Sequence, residues 1–465
     1  MVRDLFEEKT DDSLSRRFVA MCERDATPQQ VINGLQDREG FPRFRDKHES
    51  RHGYAVTCIS ASPDYKSGDE LTGYSRWTIN VEYGCLEKRK VCVILVDRAN
   101  WGRMERVVRA IADHPDLELQ IICAGSMLLP RFGCPVDIVR KEYEVSGEVW
   151  CEIEGSTLGT MADSIGYAIP MFGAQFERLQ PDIVLGIGDR YEMLSAVIAA
   201  AYRNTTVVHL QGGEVSGSID ESARHCLTKL AHYHVPATEE AAKNILRMGE
   251  TPESILAIGC PSADLAAEVD YDDEPDGPIL CVYHPTTTEY GHERDEMMQV
   301  LAAISGVPHA CTLLWPNIDA GGDAINKAIR IWRDQYKAKG LSLDWLTTIK
   351  NLPPAEYLKR LANTRCAVGN SSSFIRDDSF FGTPVVMIGN RQQGRECGPN
   401  VLRVPCEKTA IRDAIEKQLE HGRYPASDLY GEPGISEVIA DKLATLELYC
   451  QKRLYYPVER YKHEN

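Results

Sequence analysis

The chain has 465 residues, which is too long for one ordinary domain and predicts two or three. Hydrophobic residues at 43% and charged residues at 26% are ordinary for a globular protein in water. A formal net charge of -17 argues against a general affinity for nucleic acid or for an anionic membrane. The charge is compatible with a small anionic ligand, because a few backbone N–H groups and arginines bind phosphate locally.

The fifteen cysteines are dispersed without a C-x-x-C pair, and several lie in apolar runs: Cys92, Cys123, Cys281 and Cys366. This pattern predicts reduced thiols in a core instead of disulfides or a zinc site. The N-terminus, "MVRDLFEEKTDD", lacks the apolar stretch of a signal peptide, and no apolar run approaches membrane-spanning length. We therefore expect a cytoplasmic protein without a membrane contact.

Residues 1–90 are polar, with clusters such as "FPRFRDKHESRH", and contain one convincing strand candidate, Trp77–Tyr83. They are predicted to form an N-terminal extension whose role stays open between an oligomerisation element, a lid and a regulatory addition.

From Val91 onward, short apolar runs alternate with amphipathic stretches. The predicted strands are Val91–Val96, Leu119–Cys123, Asp182–Ile187 and Thr206–Leu210, and the helices between them are Arg103–Ala112, Leu158–Arg178, Tyr191–Tyr202 and Ile219–Leu230. Such alternation is typical of βαβ units, so residues 91–265 are predicted to form a doubly wound, Rossmann-like domain with a parallel sheet.

A second series follows the Asp-, Pro- and Gly-rich segment "GCPSADLAAEVDYDDEPDGP", which is typical of a linker. Its predicted strands are Ile279–Tyr283, Cys311–Trp315, Trp345–Ile349, Cys366–Val368 and Pro384–Ile388, with helices near 291–304, 322–338, 354–363 and 408–419. Residues 266–450 are predicted to form a second Rossmann-like domain, ending in a helical stretch, Ile435–Tyr449, and residues 451–465 a C-terminal tail. Ligands of such sheets bind beyond the carboxyl ends of the strands, so the cleft between the domains is the expected site.

Acidic side chains follow two predicted strands of the first domain. Asp189 follows Asp182–Ile187, and the next strand runs into Gly212-Gly213-Glu214. Asp220 and Arg224 are spaced i,i+4 on the helix that comes next. Asp189 alone is compatible with a helix cap, and the Asp220–Arg224 pair with a surface ion pair, but three carboxylates at one sheet edge indicate proton-transfer chemistry. The glycine pair predicts a close approach of the backbone to a ligand.

Two further groups of polar residues follow strands of the second domain. His284 follows the first strand, and Asn370-Ser371-Ser372-Ser373 precede a helix whose free N–H groups suit a diphosphate, unless the serines form an ordinary N-cap. Arg391 and Arg395 flank Gly394 and are candidates for a phosphate clamp. The His232-x-His234 pair favours a structural role over a metal site. No Walker, G-x-S-x-G or G-x-G-x-x-G motif occurs, which disfavours ATP hydrolysis, serine hydrolysis and dinucleotide redox chemistry.

Nine short motifs between residues 97 and 401 resemble the UDP-N-acetylglucosamine 2-epimerase family, and most closely its hydrolysing branch. They are "DRANWGRM", "GDRYE", "GGEVSGSIDESARH", "KLAHYH", "GCPS", "HPTTTE", "PNIDAGG", "GNSSSFIRDDSFFGTPV" and "RQQGRECGPNV". The resemblance covers about residues 91–450. It implies an α/β fold of two Rossmann-like doubly wound domains in a glycosyltransferase-B arrangement, here with an extra N-terminal segment.

The resemblance also implies a reaction and a set of roles. UDP is eliminated across C1–C2 of the sugar, and water adds to the glycal-like intermediate with inversion at C2, giving UDP and N-acetylmannosamine for sialic-acid-type sugars. The implied catalytic residues are Asp189, Glu214, Asp220, Arg224 and His284. The implied substrate-binding residues are Arg98, Gly213, Asn370, Ser371, Ser372, Asp377 and Arg391, with Arg98 on the diphosphate and Asp377 on the uridine ribose. No cofactor and no metal are expected. The expected assembly is a homodimer or a higher homo-oligomer.

The chain departs from the family pattern at three positions. Asn100 stands where the family often has Asp, Phe374 where a small residue is usual, and Asp377 where Glu is expected. Phe374 is predicted to narrow the nucleotide pocket or to shift the sugar. The alternatives are a non-hydrolysing 2-epimerase that interconverts two UDP-sugars, and a glycosyltransferase-B-type transferase. A non-catalytic sensor is disfavoured because it would be expected to lose Asp189 or Glu214.

Overall fold

The computed structural model describes residues 88–455 with their side chains and, before them, Val31 and the backbone of four strands. The chain divides into two compact units, Met1–Lys88 and Arg89–Asn465.

The N-terminal unit contains a four-stranded antiparallel sheet. Its strands are β1 (Val2–Glu8), β2 (Ser15–Glu23), β3 (Tyr54–Pro63) and β4 (Tyr74–Cys85), in the order β1-β2-β4-β3. The predicted strand Trp77–Tyr83 lies inside β4, but the other three strands were not predicted. In β1 most residues are charged, which hides the alternation that marks a strand.

The first α/β domain has a six-stranded parallel sheet in the order β10-β9-β8-β5-β6-β7. Its strands are β5 (Arg89–Leu95), β6 (Leu117–Ala124), β7 (Gly147–Val149), β8 (Ile183–Ile187), β9 (Thr206–Leu210) and β10 (Tyr233–Val235). Its helices are α1 (Arg98–Asp113), α2 (Val136–Val139), α3 (Leu158–Leu179), α4 (Tyr191–Ala201), α5 (Asp220–Leu230), α6 (Glu239–Arg247) and α7 (Ser262–Ala266). The central strands are buried over their whole length, as expected for a sheet covered on both faces.

The second α/β domain repeats this topology, with a parallel sheet in the order β13-β12-β11-β14-β15-β16. Its strands are β11 (Ile279–Val282), β12 (Cys311–Leu314), β13 (Leu346–Ile349), β14 (Ala367–Gly369), β15 (Val385–Ile388) and β16 (Val401–Val404). Its helices are α8 (Glu293–Ile304), α9 (Gly322–Ala338), α10 (Pro354–Asn363), α11 (Ser373–Arg376) and α12 (Lys408–His421). Two doubly wound domains were predicted, and the structure confirms them.

The last helix, α13 (Ile435–Thr445), returns to the first domain. Its residues Ile439 and Leu443 belong to the same buried cluster as Val91 and Met104. The prediction placed residues 266–450 in the second domain because it followed chain order, whereas packing places this helix with the first. Within residues 88–455, none of the helices is long and apolar enough to cross a membrane.

The strand orders place both topological switch points next to the predicted site residues. In the first sheet the order in which strands are added reverses between the parallel strands β5 and β8, which lead into Arg98 and Asp189. In the second sheet it reverses between β11 and β14, which lead into His284 and Ser371. Loops that leave two such strands diverge and open a crevice, so each sheet contributes half of one cleft.

Gly369 ends β14 and directs the chain into the serine turn. Its φ is +148°, and a Cβ there would lie 1.9 Å from the carbonyl oxygen of Val282 on the adjacent strand. We expect Gly369→Ala to lower the free energy of unfolding by about 3 kcal/mol, measured by urea denaturation. Gly291→Ala is the matched control, because φ is +104° but nothing lies within 4 Å of the added methyl. A cost for Gly369→Ala no larger than that of the control would contradict the predicted clash.

Candidate active site

A cleft lies between the two α/β domains, at the carboxyl ends of both sheets. The predicted site residues that line it are Arg98, Asp189, Asp220, His284, Ser371, Ser372, Asp377 and Arg391. The remaining predicted residues are buried behind this lining: Glu214, Arg224, Gly213 and Asn370. The twelve residues therefore lie together. Eight of them line the cleft, where a ligand can reach them, and the other four are buried behind these eight.

Asp189 is presented to the cleft by a fixed turn after β8. Gly188, at φ +82°, donates its N–H to Leu210 at 3.0 Å, and Nε2 of His209 contacts the Gly188 carbonyl at 2.7 Å. Since a carbonyl only accepts, this nitrogen carries the proton of the imidazole. The turn is thus tied to β9 from both sides, which fixes the position of Asp189.

Asp189 remains ionised. Burial by itself would raise its pKa, but Arg224 and Arg395 together outweigh burial and lower the pKa well below the usual range of an aspartate. Arg224 makes a direct ion pair with Asp189, and Nη2 of Arg395 lies 4.0 Å from it. A carboxylate held in this way is a hydrogen-bond acceptor and a weak base.

Asp220 has the opposite character. It begins α5, accepts a hydrogen bond from the Ser218 hydroxyl at 2.8 Å, and lies 3.5 Å from Arg391 of the second domain. Burial raises the pKa of Asp220 to about 6, and repulsion from Asp189 and Asp319 raises it as well. The positive charge of Arg391 lowers the pKa but does not outweigh these effects. Of the three carboxylates, Asp220 is therefore the one suited to exchange a proton near neutral pH.

Glu214 faces the arginines behind the lining. Nη1 of Arg395 lies 3.1 Å from its carboxylate and Nη1 of Arg376 lies 3.2 Å from it. Burial would raise the pKa of Glu214, but Arg395, Arg376 and Arg224 lower it below its usual range. Glu214 therefore stays ionised and forms ion pairs that connect the two domains.

Arg224 connects the carboxylate of Asp189 to the backbone of Glu214 within the first domain. It donates to the backbone carbonyl of Glu214 at 2.7 Å and to the Ser216 hydroxyl at 3.2 Å, in addition to its ion pair with Asp189. Arg224 and Asp220 do not form the surface ion pair that their spacing allows, because the guanidinium is buried and turned toward Asp189.

His284 is a neutral hydrogen-bond donor on the opposite wall. Its Nδ1 accepts from the backbone N–H of Asn317 at 3.1 Å, so Nε2 carries the proton. Burial, together with Arg391 and Arg98, holds the pKa of His284 well below its usual value. Asn370 accepts from the His284 N–H at 2.7 Å and donates to its carbonyl at 2.8 Å. Asn370 was predicted to bind substrate, but its amide is used to hold His284.

The serine turn is not the ordinary N-cap that was the alternative to a diphosphate site. The helix after it, α11, has a single turn, and Ser372 makes no side-chain cap bond to it. Ser371 and Ser373 contact each other through their hydroxyls at 2.9 Å, and Ser372 accepts from Arg376 at 2.8 Å. Arg98 spans the cleft from the first domain and donates to the carbonyls of Trp315, at 2.8 Å, and Lys350.

The structure corrects two predictions about side-chain size. Phe374 is fully buried in the core of the second domain, so it does not narrow the nucleotide pocket. Gly213 has φ +79°, and a Cβ there would lie 2.1 Å from the carbonyl oxygen of Ala241. Gly213 thus accommodates helix α6 and not a ligand.

The other two departures from the family pattern, Asn100 and Asp377, differ in whether they reach the cleft. Asn100 is buried in the first turn of α1, where it accepts from the N–H of Val96 at 3.2 Å. Asp377 lines the cleft, as expected for a residue that touches a ligand, and burial raises its pKa.

The predicted histidine pair makes contacts within the fold. Nδ1 of His232 accepts from the N–H of Val207 at 3.0 Å, and Nε2 of His234 lies 3.2 Å from Glu250. This confirms the favoured structural role. In the part of the chain that the structure describes, no group of three or more His, Cys, Asp and Glu residues is arranged to hold a metal ion.

Several polar and charged residues in or next to the cleft were not assigned a role from the sequence. They are Arg103, Arg190, Gln211, Asp319 and Arg376. Arg190 pairs with Glu192 of its own domain at 2.7 Å and with Asp319 of the other domain. Each lies inside or beside a predicted motif. The contacts of Arg103 and Arg376 with Gln211, and of Arg190 with Asp319, join residues 108, 165 and 129 positions apart, so no local pattern reveals them.

The family model described as UDP-N-acetylglucosamine 2-epimerase matches residues 109–444. The chain belongs to this family. It is 33% identical over 375 residues to the UDP-N,N'-diacetylbacillosamine 2-epimerase (hydrolyzing) of Legionella pneumophila, covering 78% of this chain and 97% of that one. It is 30% identical over 347 residues to the GDP/UDP-N,N'-diacetylbacillosamine 2-epimerase (hydrolyzing) of Campylobacter jejuni, covering 71% and 88%.

The fold of this epimerase-family protein is shared with solved structures. S. aureus MnaA, solved as a co-structure with UDP, superimposes with a TM-score of 0.63 at 18% identity, covering 79% of this chain and 100% of that one. Together with the two matching sheets, this confirms the predicted glycosyltransferase-B arrangement. The family resemblance read from the motifs is confirmed too.

The raised pKa of Asp220 predicts an effect on the stability of the epimerase-family chain. Because the folded state holds the Asp220 proton more tightly than the unfolded state does, stability falls as the pH rises from about 4 to about 6 and stays lower above. Asp220→Asn removes this cost, so we expect it to stabilise the protein by about 2 kcal/mol at pH 8 and to have little effect at pH 4.

Urea unfolding at the two pH values measures this difference. The matched control is Asp334→Asn, which changes an exposed aspartate of α9. A gain for Asp220→Asn that is equal at both pH values would contradict the assignment of the raised pKa to Asp220.

Proposed function

We propose that the protein is a hydrolysing 2-epimerase that converts UDP-N-acetylglucosamine, or a close UDP-sugar, to N-acetylmannosamine or its analogue and UDP. The observation that carries the proposal is the placement of Asp220. A carboxylate with a pKa of about 6 lines a cleft whose opposite wall offers the hydroxyls of Ser371 and Ser372 and the guanidinium of Arg391. A proton acceptor thus faces a set of donors suited to a diphosphate.

The first step is an elimination. Asp220 removes the proton from C2, a double bond forms between C1 and C2, and the bond from C1 to the diphosphate oxygen breaks. The leaving UDP carries the negative charge that develops, and it is stabilised by Arg391, Arg98 and the Nε2–H of His284. A neutral histidine is suited to this place because it donates a hydrogen bond without adding to the surrounding positive charge.

The second step is a hydration. Water supplies a hydroxyl to C1 and a proton to the opposite face of C2, so that one water is consumed for each UDP released. Asp220 releases to solvent the proton that it took from C2, which restores the carboxylate. Ionised Asp189 lines the same cleft and orients this water as a hydrogen-bond acceptor. Glu214 and Arg224 lie behind the wall and fix Asp189 in place.

The hydrolysing outcome and the sugar are supported by sequence. The "GGEVSGSIDES" and "GNSSSFIRDD" segments resemble the hydrolysing branch, and both relatives described above are named as hydrolysing enzymes. Because those names specify diacetylbacillosamine, UDP-N,N'-diacetylbacillosamine is the close analogue to test beside UDP-N-acetylglucosamine. A homodimer or a higher homo-oligomer is the expected assembly, and light scattering measures which of them forms.

Proton NMR in deuterated water tests the reaction. With either UDP-sugar, we expect free UDP to accumulate with an epimerised sugar that carries deuterium at C2. Asp220→Asn should lower kcat by about 10²- to 10⁴-fold, since a general base contributes that much. In the wild type, kcat/KM should rise with pH through a value near 6, and this limb should disappear in the variant.

Two other outcomes of this experiment would indicate a different activity. An equilibrium of two intact UDP-sugars would place it with the non-hydrolysing epimerases. Binding of UDP without turnover of either sugar would contradict the proposed substrates and point to a transferase. Asp334→Asn, on the exposed side of α9, serves as the variant that should leave kcat unchanged.

A further inference from the structure

Arg376 connects the two halves of the site through one guanidinium group. It belongs to α11 of the second domain and is almost completely buried. Its Nη2 donates to the hydroxyl of Ser372 at 2.8 Å, on the wall of the cleft. Its Nη1 lies 2.9 Å from Oε1 of Gln211 and 3.2 Å from the carboxylate of Glu214, both in the first domain.

The contact with Ser372 decides what the serine offers to a ligand. A hydroxyl has one proton, and because Ser372 accepts from Arg376, that proton is free to be donated elsewhere. Ser372 lines the cleft, so its hydroxyl is turned into a donor for an anion there. Without the guanidinium, the hydroxyl would rotate among other partners.

The contact with Glu214 and Gln211 decides where the first domain sits relative to this donor. Glu214 is held through its backbone carbonyl by Arg224, which also pairs with Asp189. Gln211 has φ +62°, a left-handed conformation that is uncommon outside glycine, and also accepts from Arg103. Arg376 is thus connected to Asp189 through three successive contacts, by way of Glu214 and Arg224.

We propose that Arg376 is a positioning residue that aligns the phosphate-binding hydroxyl of Ser372 with two carboxylates of the first domain, Glu214 and Asp189. The proposal rests on the proposed function for its substrate, a nucleoside diphosphate sugar. Binding of the diphosphate and placement of the carboxylates then depend on the same group. A lysine cannot replace Arg376, because only the planar fork of a guanidinium reaches these acceptors in two directions at once.

A double-mutant cycle on UDP affinity tests the alignment. Ser372 and Glu214 lie in different domains, and among residues 88–455 no hydrogen bond joins them directly, while Arg376 contacts both. We expect Ser372→Ala and Glu214→Gln each to weaken UDP binding by about five- to tenfold, measured by calorimetry. The double variant should be about as weak as the weaker single variant, because either change already releases the aligned hydroxyl.

Variants of Arg376 itself supply a second measurement. We expect Arg376→Lys to fold, since it keeps a cation beside Glu214, yet to weaken UDP binding and to lower kcat by about tenfold each. The matched control is Arg423→Met, which removes a part-buried arginine of the second domain that donates to the Phe381 and Ala362 carbonyls away from the cleft. It should lower the melting temperature and leave UDP affinity and kcat unchanged.

The alignment would be overturned by single-variant effects that multiply in the double variant, or by an Arg376→Lys protein with wild-type affinity and kcat. The cycle uses UDP and needs no turnover, so its outcome is separate from that of the proposed function. Coupled affinities without turnover would reject the reaction and keep the role of Arg376. A wild-type protein that turns over UDP-sugar with additive affinities would keep the reaction and reject the role. No binding of UDP to the wild type would reject both.

Discussion

The ion pairs of Glu214 with Arg376 and Arg395 connect a carboxylate of the first domain to two arginines of the second where almost no water reaches them. A buried charge that loses its partner costs several kcal/mol, so each of these groups requires the others to be in place. The pairs of Arg190 with Asp319 and of Arg391 with Asp220 extend the same constraint along the cleft. The relative position of the two α/β domains is therefore constrained by charge neutralisation in addition to apolar packing.

The same arrangement sets the acidity of each carboxylate. Asp189 and Glu214 are each close to two arginines and stay ionised. Burial and repulsion from Asp189 and Asp319 raise the pKa of Asp220, whose ion-pair partner among residues 88–455 is Arg391 at 3.5 Å. Three acidic side chains at one sheet edge thus acquire different roles from the number of cations around them, which is how one site separates a proton-transfer group from groups that stay charged.

The sequence predicted the features that depend on local pattern. Buried parallel strands have continuous apolar runs, so Asp189 and Glu214 could be placed at strand ends, and the switch-point geometry brought His284 and Ser371 to the same cleft. The pairs across the domains escaped prediction because Arg376 and its partner Glu214 are 162 residues apart, and nothing local marks either of them.

Predictions that concerned the direction of a side chain or the packing of a glycine were less accurate. Phe374 was expected in the pocket but points into the core, and Gly213 was assigned to a ligand although it accommodates Ala241. In the N-terminal unit, β1 gave no periodic signal because most of its residues are charged. Such choices depend on the neighbour across the fold, which is known only once the chain has folded.

Helix α5, which carries Asp220 and Arg224, also depends on chain that lies far away in sequence. At its C-terminal end, Nζ of Lys452 donates to the carbonyls of Thr228 at 3.2 Å and Lys229 at 3.0 Å. A cation at this end satisfies free carbonyls and opposes the helix dipole. The chain must therefore cross back from the second domain, before α13, for the helix of the first domain to be fully capped. The two α/β halves are consequently completed by each other, in their charges at the cleft and in the path of the chain behind it.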